Sequence, residues 1–230
     1  VVESVNDPYL NFDINVNGTF NVLNEARIAG VKKFIFASTG GALIGNTTPP
    51  VNEQSLPKPI SPYGSSKLCG EAYNHSFAKA YNMNTVCLRF ANVYGSFSAH
   101  KTGAVTKFIK CLLEDKPIPI YGDGSASRDY LHVDDLCIGI IKAVSTNLNS
   151  GSVLHLASGN EVTVHELAKM LSIIADKPNH PIKFLNKRPG EVERNFAQYE
   201  KAKNELNFDP TINFENGLKS TWQWFKNALK

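Results

Sequence analysis

The sequence has little of what builds stapled or metal-centred domains. Its four cysteines, Cys69, Cys87, Cys111 and Cys137, lie 18, 24 and 26 residues apart and form no C-x-x-C pair. That spacing argues against a zinc finger or a disulfide framework and predicts free thiols. The six histidines are dispersed and no H-E-x-x-H occurs, so no metal site is expected. Charge of one sign is also scarce: 24 basic and 21 acidic residues leave a net +3. So small an excess argues against a nucleic-acid or acidic-membrane partner. No apolar run approaches the roughly 18 residues of a membrane span, and a cytoplasmic location is expected. Sequons at Asn17, Asn46 and Asn74 carry no weight without a signal peptide, which a missing N-terminus would also hide. What is present, 42% apolar and 20% charged residues, is ordinary globular composition.

Helical and strand patterns alternate along the chain. Residues 9–29 read as a helix that follows Pro8 and ends at Gly30, and 31–37 (VKKFIFA) as a short strand. A Gly-, Thr- and Pro-rich loop over 38–62 leads into a helix from about 62 to 81. Residues 85–90 (TVCLRF) and 152–156 read as strands, 117–121 as a short extended piece. Helices are predicted near 103–115, 133–144, 163–175, 198–206 and 214–228. Strands separated by helices predict βαβ units and a parallel sheet, an α/β fold. In open sheets of that kind ligands bind in loops at the strands' carboxyl ends, here Ser38–Gly41 and Ala91–Gly95.

The most informative stretch is Ser61-Pro62-Tyr63-Gly64-Ser65-Ser66-Lys67. Ser61 suits an N-cap and Pro62 the first helical position, which sets Tyr63 and Lys67 at i and i+4 on one face. A tyrosine acting as a base near neutrality needs its pKa lowered by about 3 pH units, or about 4 kcal/mol. A neighbouring ammonium and the positive end of the helix both push in that direction. Alone, Y-x-x-x-K is a common surface pair. Here the hydroxyl-bearing Ser38-Thr39 loop precedes Tyr63 by 24–25 residues, and Asn15 stands in a helical NVNGT context.

This arrangement resembles the extended short-chain dehydrogenase/reductase family, the NAD-dependent epimerases and dehydratases of nucleotide sugars. NVNGT, FIFASTGG, SPYGSSK, LRFANVYG, IYGDGSASRDYLHVDD and RPGE occur in that family's order and cover nearly the whole chain. The UDP-glucose 4-epimerase branch is the most similar. The resemblance implies a partial Rossmann-type sheet in residues 1–95, with 125–160 returning to it. It assigns 96–124 and 161–230 to a smaller substrate lobe. It implies NAD-dependent epimerisation at C4 of a UDP-hexose through a transient 4-keto sugar. Tyr63 would take the proton of the 4-hydroxyl, and Lys67 would hold Tyr63 anionic and bond the nicotinamide ribose. The third hydroxyl is assigned to Thr39, one place before the family position, which is Gly40 here; Ser38 is the runner-up. Asn15 and Ala91 join Thr39, Tyr63 and Lys67 around NAD. On the substrate side the resemblance gives Asn92, Arg128 and Arg188 to the diphosphate, Tyr121 to the uracil ring and Glu191 to the uridine ribose. Asn195, where some members have a bulky tyrosine, leaves room for an N-acetyl group. Gly41 and Ala42 replace the acids that dehydratases and decarboxylases use, which favours epimerisation. Members commonly pair through the helices that here are 9–29 and 63–81, implying a homodimer.

The family's G-x-x-G-x-x-G phosphate loop is absent from these 230 residues, as is the acid that grips the adenosine ribose. Residue 1 is Val, and the expectation is a piece of a longer protein whose sheet has an unpaired edge at its first strand. Two further readings stand beside UDP-glucose epimerisation. One is a non-catalytic module that binds a UDP-sugar or dimerises. The other is an epimerase of UDP-N-acetylhexosamines or UDP-uronates.

Overall fold

The computed structural model describes residues 1–229. The chain opens with helix α1 (Val2–Asn6), then α2 (Pro8–Phe12), started by Pro8 and by the Asp7 carboxylate accepting the Leu10 N–H at 2.9 Å. The single helix expected over 9–29 is interrupted. Residues Asp13–Asn17 form a π turn, closed by Gly18 N–H donating to Asp13 O, before α3 (Gly18–Ile28). Asparagine side chains stabilise that turn locally, Asn17 bonding Asp13 and Asn15 bonding Asn11.

Strand β1 spans Phe34–Thr39, three residues later than the apolar pattern suggests. Lys33 is drawn away from it, because its ammonium donates to Ala143 O, Val144 O and Thr146 O at the end of a distant helix. The expected 38–62 loop contains a short helix, α4 (Gly41–Ile44), and a bridge from Val51 to Ala197. Helix α5 (Pro62–Tyr81) starts as predicted. Ser61 Oγ accepts Gly64 N–H at 3.2 Å and Ser4 Oγ accepts Tyr63 N–H at 3.1 Å. It ends at Asn82, which takes a left-handed φ of 52°.

Strand β2 (Thr85–Phe90) is buried along nearly its whole length, as its apolar run requires. There follow β3 (Asn92–Tyr94), α6 (Ala104–Leu113), β4 (Ile118–Tyr121), β5 (Ser127–Arg128), β6 (Tyr130–His132) and α7 (Val133–Ser145). The chain closes with β7 (Ser152–Leu156), β8 (Val162–Thr163), α8 (Val164–Ile174), β9 (Ile182–Leu185), α9 (Glu200–Leu206) and α10 (Phe214–Ala228). The sheet order is β1-β2-β7, all parallel, with Phe36 beside Cys87 and Leu88 beside Leu154. Helices flank it, so the α/β class with a parallel sheet is as the sequence implies.

Three short pairs, β3–β6, β4–β9 and antiparallel β5–β8, were not legible from periodicity. They carry the chain from the sheet into a second lobe, whose core includes Phe108, Leu112, Ile120, Leu167, Leu218 and Phe225. Residues 161–230 do not all belong to it. Ala202, Leu206 and Phe208 pack with Val86, Leu88 and Leu154 on the sheet, because α9 presents its apolar side there.

Helix α5 is tied to the sheet by buried charge. Glu71 accepts from Arg89 Nε at 2.9 Å and Nη2 at 2.8 Å, and from Ser38 Oγ at 2.6 Å. Ser38 and Arg89 are register neighbours on β1 and β2, so one carboxylate joins two strands to one helix. Removing one partner strands the other charge in the interior. We expect Glu71→Ala to lower stability by about 3–5 kcal/mol in denaturant unfolding, and joint apolar replacement of Glu71 and Arg89 to cost less. Equal losses for the single and joint variants would contradict this.

Candidate active site

The carboxyl ends of β1 and β2 and the amino end of α5 converge on a cavity of about 830 Å³. Thr39, Gly41 and Ala42 line it from the first loop, Phe90, Ala91 and Asn92 from the second, and Tyr63 from α5. The second lobe supplies Tyr121, Arg128, Arg188, Glu191 and Asn195. The sequence brings these together because α/β crossovers place the loops after successive parallel strands at one edge.

Strand alternation separates the two hydroxyl candidates. Ser38 is buried on the α5 side, committed to Glu71, whereas Thr39 faces the cavity. Tyr63 and Lys67 share a helix face, with the ammonium 5.7 Å from the phenol ring centre. Lys67 also donates to Ala37 O at 3.1 Å on the open edge of β1 and lies over the Phe36 ring at 5.0 Å. Lys67 is thus beside the cavity wall rather than part of it. Asn15 does not line the cavity; it sits in the π turn, its amide bonded to Asn11.

The expected lowering of the Tyr63 pKa is not a property of the chain by itself. Burial pushes the Tyr63 phenol above its ordinary value and the Lys67 ammonium below its own. The positive charge needed to reverse this has to come from outside the pair.

The second lobe is arranged around Tyr121. The Arg188 guanidinium stacks on its ring at 3.4 Å, and Lys107 Nζ lies 3.3 Å from its hydroxyl. Arg188, with Lys107, lowers the phenol from its ordinary value. Arg188 also meets Glu191 at 3.5 Å. Arg128 is turned onto backbone, donating to Ser127 O at 2.7 Å. Asn195 is buried at 5% exposure, its Nδ2 without a partner among the described residues. Its side chain also fills the space beside Gly41, where an added Cβ would lie 3.0 Å from Oδ1.

Sequence reasoning missed Lys107 and Tyr130. Lys107 is one lysine of an amphipathic helix until Tyr121 is folded beside it. Tyr130 looks like core, yet it lines the cavity with a buried hydroxyl that has no partner among the described residues, its pKa pushed up to about 12 by burial. Around the cavity Lys101, Lys107, Lys110, Arg128 and Arg188 outnumber Glu3 and Glu191. Such a field favours a polyanionic ligand.

The model of the NAD dependent epimerase/dehydratase family matches residues 1–157. The chain belongs to this family. It is 30% identical over 228 residues to the UDP-glucuronate 4-epimerase of Thermodesulfobacterium geofontis, covering 99% of this chain and 69% of that protein. It is 33% identical to the putative UDP-glucose 4-epimerase of Methanocaldococcus jannaschii, covering 99% and 74%. Among solved structures it matches the UDP-glucose 4-epimerase of Thermotoga maritima, with UDP-glucose, at a TM-score of 0.93 and 35% identity, over 99% of this chain and 74% of that one. A dTDP-glucose 4,6-dehydratase of Streptomyces venezuelae, with NAD bound, matches at 0.92 and 27%, over 99% and 70%.

NAD is the cofactor of this family, and the residues present suit one end of it. The Lys67 ammonium on an open strand edge and the Thr39 and Tyr63 hydroxyls facing one cavity are donors of the kind that a ribose and its nicotinamide would need. The 230 residues hold no glycine-rich loop for the pyrophosphate. In the chain alone, the absorbance change lost in Tyr63→Phe should titrate above the ordinary tyrosine value. A titration below that value would show the pair to be pre-set without help.

Proposed function

We propose that the chain carries the proton-transfer and substrate-holding parts of an NAD-dependent nucleotide-sugar 4-epimerase acting on UDP-hexoses. One observation carries this reading: Tyr63 and Thr39 share a cavity with a cationic second lobe, while the neighbouring loop positions are Gly41 and Ala42. That loop has an acid–base pair for C4 chemistry beside it and no acid of its own for elimination.

NAD, when bound, supplies the acceptor and donor of the C4 hydride. The chain's residues do the rest. Tyr63 Oη accepts the proton of the sugar 4-hydroxyl as C4 becomes a ketone, and returns it when C4 is reduced on the opposite face. Thr39 Oγ1 bonds the same oxygen and keeps it within reach of Tyr63. Lys67 holds the ribose hydroxyls beside the Tyr63 ring, and its charge stabilises the phenolate. Ala91, on the cavity wall, would pack near the nicotinamide, and Asn15, outside the cavity, would have to release Asn11 to take part. Arg188 and Arg128 pair with diphosphate oxygens, for which a planar fork of donors is suited. Arg128 must leave its backbone carbonyl to do so. Asn92 assists at the diphosphate, Tyr121 packs the uracil and Glu191 accepts from the uridine ribose. The 4-keto sugar turns over between the two lobes.

The acceptance of larger sugars follows from Asn195, and relatives named for glucuronate and N-acetylglucosamine have the same overall fold. Association as a homodimer is supported by apolar residues exposed on α2, the π turn, α3 and α5, among them Tyr9, Ile14, Val22, Ile28 and Tyr81. A second reading, a UDP-sugar-binding module without redox chemistry, is favoured by the cationic lining that the second lobe gives the cavity.

With NAD supplied, the chain should interconvert UDP-glucose and UDP-galactose, and Tyr63→Phe should lower kcat by about 10²–10⁴-fold. A Tyr63→Phe variant at full rate would overturn the mechanism. Calorimetry separates the second reading, which requires UDP to bind and NAD not to. Asn195→Tyr should abolish turnover of UDP-N-acetylglucosamine while sparing UDP-glucose; equal loss of both would refute the role given to Asn195. Val22→Glu should shift sedimentation from dimer to monomer, and an unchanged dimer would place the contact elsewhere.

A further inference from the structure

Gly40 and Gly41 join the end of β1, where Thr39 is paired with Phe90, to the short helix α4, and with no side chain of its own Gly40 leaves the exit from the strand to be shaped by what packs behind it. The candidate behind Gly40 is His155. A Cβ at position 40 would lie 3.1 Å from His155 Nδ1 and 3.4 Å from Cε1. His155 is completely buried on β7, and neither ring nitrogen has a hydrogen-bond partner among the described residues. A backbone group of Asn52 lies beside the ring outside hydrogen-bond geometry, and Glu53 Oε1 accepts the backbone N–H of His155 at 2.8 Å.

The sheet register explains the placement. Ser38, Arg89 and His155 are neighbours in one row across β1, β2 and β7, and so share a face. Ser38 and Arg89 are committed to Glu71. His155 ends the row and fills the space into which a side chain at 40 would point. Gly40 N–H is meanwhile fixed to Phe90 O at 3.0 Å. The loop is therefore clamped from two sides, and its cavity-facing hydroxyl is Thr39.

We propose that His155 is a positioning residue. It packs behind Gly40, restrains the backbone where the chain leaves β1, and thereby holds the Thr39 hydroxyl, which strand alternation turns to the cavity, in a fixed position there. The proposal rests on the role given to Thr39 above. It requires no proton transfer by the imidazole, which is held away from the cavity.

The test is a pair of double-mutant cycles on the full 230-residue chain. In the stability cycle, Gly40→Ala should lower the melting temperature by about 3 °C or more in the native background. It should leave it level or raised in a His155→Ala background, where the added methyl has room. Equal effects in both backgrounds would overturn the packing. In the kinetic cycle, with NAD and UDP-glucose, His155→Ala should lower kcat about 10-fold or more with KM unchanged. Added to Thr39→Val it should cost about twofold at most, because the two act as a unit. A His155→Ala loss of the same size with and without Thr39 would refute positioning.

A chain with no turnover at all would count against the proposed function, and the proposal would then be judged on methyl-labelled Thr39. Its methyl resonance should shift or broaden in His155→Ala and hold still in a distant variant such as Ile173→Ala. An unmoved resonance would overturn the proposal.

Discussion

A single buried carboxylate sets the geometry from which everything else follows. Glu71 is 7% exposed, and its oxygens are taken by the Arg89 guanidinium and the Ser38 hydroxyl. Desolvating such a pair is expensive, and it is tolerable only because the fork geometry satisfies both oxygens. The return is positional. Helix α5 is pinned to β1 and β2 near their carboxyl ends, so Tyr63 at its start and Thr39 at the end of β1 meet the same cavity. The same bond commits Ser38 to the opposite face. Ser4 adds a second constraint, accepting the Tyr63 N–H and donating to Val1 O at 2.7 Å, which joins the first residues of the chain to the start of α5.

The cavity has a division of labour. The sheet side brings the Thr39 and Tyr63 hydroxyls, and the second lobe brings cations. Burial disfavours ionisation of Tyr63 and protonation of Lys67 alike. A positive charge brought close to Tyr63 would oppose the effect of burial on its phenol. On the lobe side, Arg188 rests on Tyr121 and Glu191 while Arg128 rests on Ser127 O. Both arginines are thus held on local partners at the cavity wall.

Much of the sheet was legible because its information is local. The runs TVCLRF and SVLHL are apolar enough to be buried wherever they pair, and their boundaries agree with β2 and β7. Tyr63 and Lys67 were legible for the same reason, since an N-cap, a proline and an i, i+4 spacing define one helix face. What depends on distant partners was not. Val31–Lys33 resemble a strand start until Lys33 is seen capping α7. The strands β3, β6 and β9 are three or four residues long and exist only as pairs. The sequence already put Thr39 ahead of Ser38, but the reason Ser38 is occupied, its burial against Glu71, depends on a residue 33 positions away. Lys107 and His155 gain their meaning from Tyr121 and Gly40, many residues away, and Asn15 has its family context but sits outside the cavity.

The most direct measurement follows the hydrogen at C4. UDP-glucose tritiated at C4 would be incubated with the chain and NAD. The account predicts UDP-galactose with the tritium still at C4, because the hydride leaves and returns within one closed site while only the hydroxyl proton passes through Tyr63. Release of tritium into water, or a 4-keto-6-deoxy product, would contradict it.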